Sequence, residues 1–226
     1  MDQDTVIEAF SHVVKSRRSV RAFLPRRVEQ QTLNAIFELA QTAPSNCNTQ
    51  PWIAHVVSGE ICQQLKQELT SALMRGEFSM DFPYEGKYQG VYRERQVDAA
   101  NQLYTAMGIA REDKVARNAA FLRNFSFFDA PHAVFLFLPE GFGLREAADV
   151  GMYAQNLMLA MTAYGLGSCP QTALGFHAGV VREALSIPDE MKLLFGISFG
   201  YEDAANAANK TRINREPIEK AVFFHG

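Results

Sequence analysis

Residues 150–181 contain no Asp, Glu, Lys or Arg, although charged residues make up 21% of the 226-residue chain. So long a gap in charge has to be taken out of water, either by a bilayer or by protein. Gln155, Asn156, Gln171, Pro170 and several glycines interrupt it. A span would leave those groups and the broken backbone unsatisfied in hydrocarbon, so a buried helix followed by a loop is the better reading. The spacing predicts a helix over residues 145–164, about 30 Å long. It is apolar on nearly every side after Val150 and needs cover from more than one layer. A central helix in a monomer would have that cover, and so would a helix at a subunit interface, which resembles a core cut in half. Gly165 and Gly167 then supply the cap and the close backbone approach that end it.

The remaining pattern implies a single domain over residues 1–226, since no low-complexity or Pro/Gly/Ser-rich linker divides it. The pattern Thr5-x-x-Glu8 has the form of a capping box for a first helix running to about residue 15. Leu33, Ile36, Phe37 and Ala40 mark a second helix. A strand follows at 52–58, then a helix through Leu65 and Leu69. Residues 76–110 form an insertion whose irregular first part carries Phe78, Phe82, Tyr84 and Tyr88. It reads equally as a lid and as a surface loop whose aromatics pack down. Helical stretches at 91–107 and 114–125, a buried strand at 133–138, a short helix at 178–185 and a strand at 193–199 complete the pattern. The tail from residue 201 has no apolar periodicity of its own.

Composition removes several function classes. A net charge of -3 gives no general case for nucleic acid. Three cysteines, at 47, 62 and 169, form no CxxC pair, and with no signal-peptide pattern at the start they suit a reducing cytoplasm. The histidines at 12, 55, 132, 177 and 225 lie far apart without metal-ligand spacing. Gly165 and Gly167 have Pro170 where a dinucleotide fingerprint needs its third glycine. Residues 196–200, Gly-Ile-Ser-Phe-Gly, match a nucleophile elbow with Ser198 as nucleophile. Only the short tail follows, though, and it has no elbow helix, so small residues ending a core strand explain the match better.

Two features carry chemistry. The run Ala-Pro-Ser-Asn-Cys-Asn-Thr-Gln-Pro-Trp at 43–52 is a rigid polar loop between two prolines, held by a helix and a strand. Arg17, Arg18 and Arg21 near one end of the chain, and Lys210 and Arg212 near the other, are basic clusters in a slightly acidic protein. With the Ser19 hydroxyl they match the oxygens and charge of a phosphate.

Taken in order, Arg17-Arg-Ser-Val-Arg21, the 43–52 loop, Pro170-Gln-Thr172 and Asn209-Lys-Thr-Arg212 resemble the FMN-dependent nitroreductase family, and most closely its nitrobenzoate-reductase branch. The resemblance implies an α+β fold with a central, mostly antiparallel sheet flanked by helices, in an intertwined homodimer with FMN at its interface. Carried over by position, Arg17, Ser19, Lys210 and Arg212 would hold the phosphate. Arg18 would meet the ribityl chain, and Arg21 the pyrimidine edge. Pro44, Ser45, Asn46, Asn48 and Gln50 would approach the flavin from the partner subunit, while the backbone around Pro170, Gln171 and Thr172 would face N5. Residues 201–226 would extend onto the partner. Many relatives have serine at the place of Asn46 and glutamate at that of Gln171, and the acidic and basic lid triad of the deiodinase branch is not recognisable in residues 76–96.

The implied activity is reduction of FMN by NADH or NADPH, followed by reduction of a small aromatic acceptor, a nitroarene or quinone, with no side chain acting as nucleophile or acid. The alternative from another class is a flavin-binding or storage protein without turnover. No membrane partner is implied.

Overall fold

The computed structural model describes residues 2–226. Its helices are α1 (Gln3–Ser16), α2 (Gln30–Ala40), α3 (Gly59–Arg75), α4 (Gly90–Ala106), α5 (Lys114–Leu122), α6 (Leu144–Ala163) and α7 (Ala178–Leu185). Its strands are β1 (Ile53–Ser58), β2 (His132–Pro139), β3 (Gly167–Gln171) and β4 (Met191–Gly200). The sheet order is β1-β2-β4-β3, and every pairing is antiparallel. The α+β expectation holds.

Side-chain alternation on β2 divides the interior in two. Ala133, Phe135 and Phe137 join Leu65, Leu69, Phe125, Phe127 and Val181 on one face. Val134, Leu136 and Leu138 join Ile36, Trp52, Tyr153, Leu157 and Met161 on the other. A strand buried on both faces has to be apolar at every position, which is why residues 133–138 show no alternation in sequence. On β4 the parity changes midway: Phe137 pairs with Leu193, but Leu136 pairs with Phe195. Leu194 is therefore a bulge residue. Leu193 packs with the first core, whereas Ile197 and Phe199 pack with the second.

The helix of the uncharged stretch is α6. It buries Val150, Tyr153, Ala154, Leu157, Met158 and Met161 along one face, against α2 and the sheet. Gly151, Met152, Gln155 and Ala163 stay exposed on the other. Within one chain the expected second covering layer is thus only partial, with α1 lying against part of α6. No helix among the described residues is long and apolar enough to cross a membrane.

Three expectations need correction. The first helix starts earlier than Thr5: Asp2 is its cap and accepts the Thr5 N–H at 2.9 Å, so no box forms with Glu8. The helix expected to reach residue 125 ends at Leu122, because Phe127, Phe128 and Asp129 adopt positive φ and turn the chain into β2. The segment after α6 is a strand, β3, rather than a loop. Its glycine and proline content hid it, and it lies at the sheet edge, where proline is tolerated.

The insertion is anchored at its root. Ser79 donates its N–H to Phe176 O at 2.9 Å, and its Oγ accepts the Gly179 N–H at 2.9 Å. Asp81, nearly buried, pairs with Arg182 and accepts the Leu193 N–H at 2.7 Å. Its opening segment is therefore fixed to α7 and β4.

Candidate functional site

The arginine segment is positioned by the edge of the sheet. Val20 donates its N–H to Ser168 O at 2.9 Å, so residues 19 and 20 lie alongside β3. Gly167 permits this approach, since a Cβ there would stand 2.7 Å from Val20 Cγ2. With Val20 turned into the core, the neighbours Ser19 and Arg21 are only partly buried.

The far end of the chain is clipped to the same segment by Asn209, which is 3% exposed. Its Oδ1 accepts the Arg21 N–H at 2.7 Å, and its Nδ2 donates to Ala22 O at 2.8 Å and Asp203 O at 2.9 Å. The chain beyond Asn209 consequently passes opposite α1's end. A cleft of about 620 Å³ lies between them, lined by Arg17, Arg18, Ser19, Arg21, Thr211, Arg212 and Arg215, with Gln155 from α6.

The cleft is built for an anion. No carboxylate lines it. Partial burial, and then the Arg215 charge, holds the Arg17 guanidinium below its usual range. Arg18 has one acidic partner, Glu202, just outside the lining. Arg18 Nε and Thr211 Oγ1 are buried with no hydrogen-bond partner among the described residues. Ligand oxygens match both donors, and gathered cations repel one another unless an anion joins them. Cys169 sits beneath this segment, and burial pushes its thiol up to about 11, against the lesser pull of Arg21, Ser19 and Arg17. It is a packing residue.

The structure thus brings Arg17, Arg18, Ser19, Arg21 and Arg212 together. Lys210 ends a short 3-10 turn, is exposed, and is not among the cleft-lining residues. Pro170 and Thr172 are exposed at the end of β3, but the Gln171 side chain turns inward. Its Nε2 donates to Asn124 O at 2.9 Å and Oδ1 at 3.2 Å, and its Oε1 accepts the Ser198 hydroxyl. Any ligand there meets the backbone of Gln171 rather than its amide group.

The 43–52 loop is a separate structure within the chain. Pro44, Ser45, Asn46, Asn48 and Gln50 line none of the arginine cleft. The loop is held in shape by Asp149 on α6, 4% exposed, which accepts the Asn46 N–H at 3.0 Å. Ser45 Oγ accepts the Gln50 N–H at 2.9 Å. At its end Trp52 stacks on Tyr153 with ring centroids 5.0 Å apart and donates Nε1–H to Gln41 Oε1 at 3.1 Å. Cys47, Asn48 and Gln50 have positive φ, the kind of strain that accumulates where a loop presents polar groups.

Sequence reasoning missed Asp149, Thr211 and Arg215 and gave Asn209 no role. Asp149 had left one signal, as the last charged residue before the uncharged stretch. The elbow serine is excluded as a nucleophile: Ser198 is 0% exposed within β4 and is bonded to Gln171. Among the described residues no three His, Cys, Asp or Glu side chains converge on a metal position.

Comparisons with known proteins identify the family. The model of the nitroreductase family matches residues 14–201. Nitroreductase NfnB of Mycolicibacterium smegmatis is 45% identical over 218 residues, covering 96% of this chain and 93% of that protein. A 4-nitrobenzoate reductase of a Nocardioides species is 35% identical over 228 residues, covering 96% and 90%. The crystal structure of the FMN-dependent NfnB from Mycobacterium smegmatis in complex with NADPH superposes with a TM-score of 0.94 at 44% identity, covering 98% of this chain and all of that one. With the arginine segment, the polar loop and the four-stranded sheet all in place, the chain belongs to the nitroreductase family.

Proposed function

We propose that the chain is a cytoplasmic, FMN-dependent NAD(P)H oxidoreductase that reduces nitroaromatic or quinone-type acceptors. The observation that carries this is the carboxylate-free arginine cleft, whose orphaned Thr211 Oγ1 suits a phosphate monoester. Its close relatives include an FMN-dependent nitroreductase solved with NADPH and a 4-nitrobenzoate reductase.

FMN, when bound, supplies the redox chemistry, taking a hydride from the nicotinamide nucleotide and passing reducing equivalents to the acceptor. The protein's residues bind and orient. Arg17, Ser19 and Arg212, joined by Thr211 and Arg215, hold the phosphate. Lys210 adds longer-range positive charge from outside the cleft lining. Arg18, braced by Glu202, faces the ribityl chain, and Arg21 presents a cation to the pyrimidine edge, where it favours added negative charge. The backbone at Pro170, Gln171 and Thr172 borders the reacting edge.

The working form is a homodimer. α1 buries none of its residues within the chain, leaving Ile7 52% and Phe10 64% exposed. The outward face of α6 is only partly covered, by α1, and the tail ends in Phe223 and Phe224, 72% and 89% exposed. A second copy covers such surfaces. It also brings the loop with Pro44, Ser45, Asn46, Asn48 and Gln50 to the cleft, with the tail beyond Glu216 laid across the partner, residues 202–215 staying on their own chain, and α4 of the 76–110 insertion acting as the lid.

The test is anaerobic NADPH and NADH oxidation by the FMN-loaded protein, with and without 4-nitrobenzoate. Acceptor-dependent loss of nicotinamide absorbance is expected. Loaded protein that turns over neither nucleotide with a panel of nitroarenes and quinones would refute the enzyme reading and favour flavin storage.

A further inference from the structure

Away from the arginine cleft, α4, α5 and the turn joining them border a second groove of about 650 Å³. Its lining includes Arg93, Arg111 and Arg117 and not one carboxylate. Among the described residues none of the three is in an ion pair. Two nearby arginines behave otherwise: Arg95 pairs with Glu216 at 3.2 Å and Arg123 with Asp129 at 2.9 Å. The Nε of Arg117 is buried with no hydrogen-bond partner. Three unneutralised guanidinium groups around one concavity raise its potential and offer planar forks matched to phosphate.

The groove also stands in a particular place. Tyr104 lines it together with a smaller cavity of about 220 Å³, whose walls include Leu103, Phe121 and Arg21. Arg21 in turn lines the arginine cleft. Cleft, cavity and groove are therefore linked by shared wall residues. A dinucleotide with its nicotinamide near Arg21 must place its other nucleotide a pyrophosphate bridge away, in neighbouring but separate ground.

We infer that the α4–α5 groove receives the adenosine end of the reducing nucleotide and that Arg93, Arg111 and Arg117 bind its 2′-phosphate, so that the chain takes NADPH in preference to NADH. This rests on the reading above that a nicotinamide nucleotide is the reductant. The two nucleotides differ only in that phosphate, a monoester with about -1.5 to -2 charges at neutral pH. Tyr104 and Ile109 give the groove an apolar wall beside the cations.

The experiment titrates the FMN-loaded full chain with adenosine 2′,5′-bisphosphate and with adenosine 5′-monophosphate by calorimetry, in wild type, Arg111→Ala and Arg117→Gln. Arg111 is exposed, so its truncation leaves the fold intact even if Arg117→Gln disturbs packing. The bisphosphate should bind about tenfold or more tightly than the monophosphate, and each variant should erase most of that gap. The NADPH-to-NADH ratio of kcat/KM should fall by a similar factor. Equal binding of the two probes by wild type, or a gap that survives in both variants, would overturn the assignment. Turnover of either nucleotide, NADPH or NADH, with a nitroarene is read on the same samples. Its absence alongside a clear bisphosphate preference would sink the oxidoreductase reading and leave the phosphate site standing, whereas turnover without preference would do the reverse.

Discussion

Replacing Asn209 with alanine should damage stability and cofactor binding together, because one buried amide holds the two walls of the arginine cleft. The substitution removes an acceptor from Arg21 N–H and donors from Ala22 O and Asp203 O. Each group left unpaired in the interior costs about 1–3 kcal/mol. Ala22 O keeps the Asp203 N–H at 3.0 Å and Asp203 O keeps the Asn206 N–H at 3.2 Å, which leaves the half-buried Arg21 N–H as the main loss and gives a total of about 1–3 kcal/mol. Arg212 Nη1 also donates to Asn209 O at 2.8 Å, so a displaced turn carries this arginine away from the cleft. Urea unfolding measures the first effect, and quenching of FMN fluorescence on titration measures the second. Arg212→Ala alone should weaken FMN binding by about tenfold or more, as for any lost charge-assisted phosphate contact. Since Asn209 acts largely through Arg212, the double variant should bind FMN little worse than Asn209→Ala does. An Asn209→Ala protein that loses stability but keeps wild-type FMN affinity would refute the clip, and strictly additive losses would refute the route through Arg212.

Other substitutions probe the elements around the site. His132 is buried, its Nε2 accepts the Val28 N–H at 3.0 Å, and burial first, then Arg27, lowers its pKa from 6.5 to about 4. The unfolded chain thus binds the proton more readily: this contribution, about 3 kcal/mol, is complete above pH 6.5 and is lost as pH falls toward 4. Urea titrations across that window should show the slope in wild type and not in His132→Phe. Gly167→Ala should cost about 1–3 kcal/mol by overpacking against Val20, with partial rescue by Val20→Ala, as measured by thermal unfolding; a neutral single variant would contradict the close approach. Gln171→Glu sets a carboxylate against Asn124 O and Oδ1, and should lower Tm at neutral pH more than at acidic pH, where the group is protonated. An unchanged Tm at both pH values would show that this hydrogen-bond network is not maintained.

Much of this fold was legible because the pattern was local. The periods of α2, α3, α6 and α7 and the apolar run of β2 stand in the sequence with small boundary shifts. β3 was not legible, because Gly167 and Pro170 break strand propensity and only the β4 pairing makes it a strand. The bulge at Leu194 and the positive φ values at 127–129 likewise have no glycine or repeat to announce them. At the site, composition could propose a phosphate from Arg17, Arg18, Arg21 and Arg212. It could not supply Asn209, whose role exists only because residues 21 and 209 meet in space. Asp149 is a similar case, since it contacts the loop at Asn46 from the far side of the sheet's longest connection. Family resemblance filled part of that gap, by placing Asn209-Lys-Thr-Arg212 with Arg17-Arg-Ser-Val-Arg21 before any distance was known.

The central claim is that the arginine cleft holds the single phosphate monoester of FMN. Chromatography of the flavin released by heating the purified or reconstituted protein tests it directly. The account predicts FMN, retained by wild type and depleted in Arg212→Ala; FAD, or a protein that retains no flavin after exposure to FMN, would contradict it.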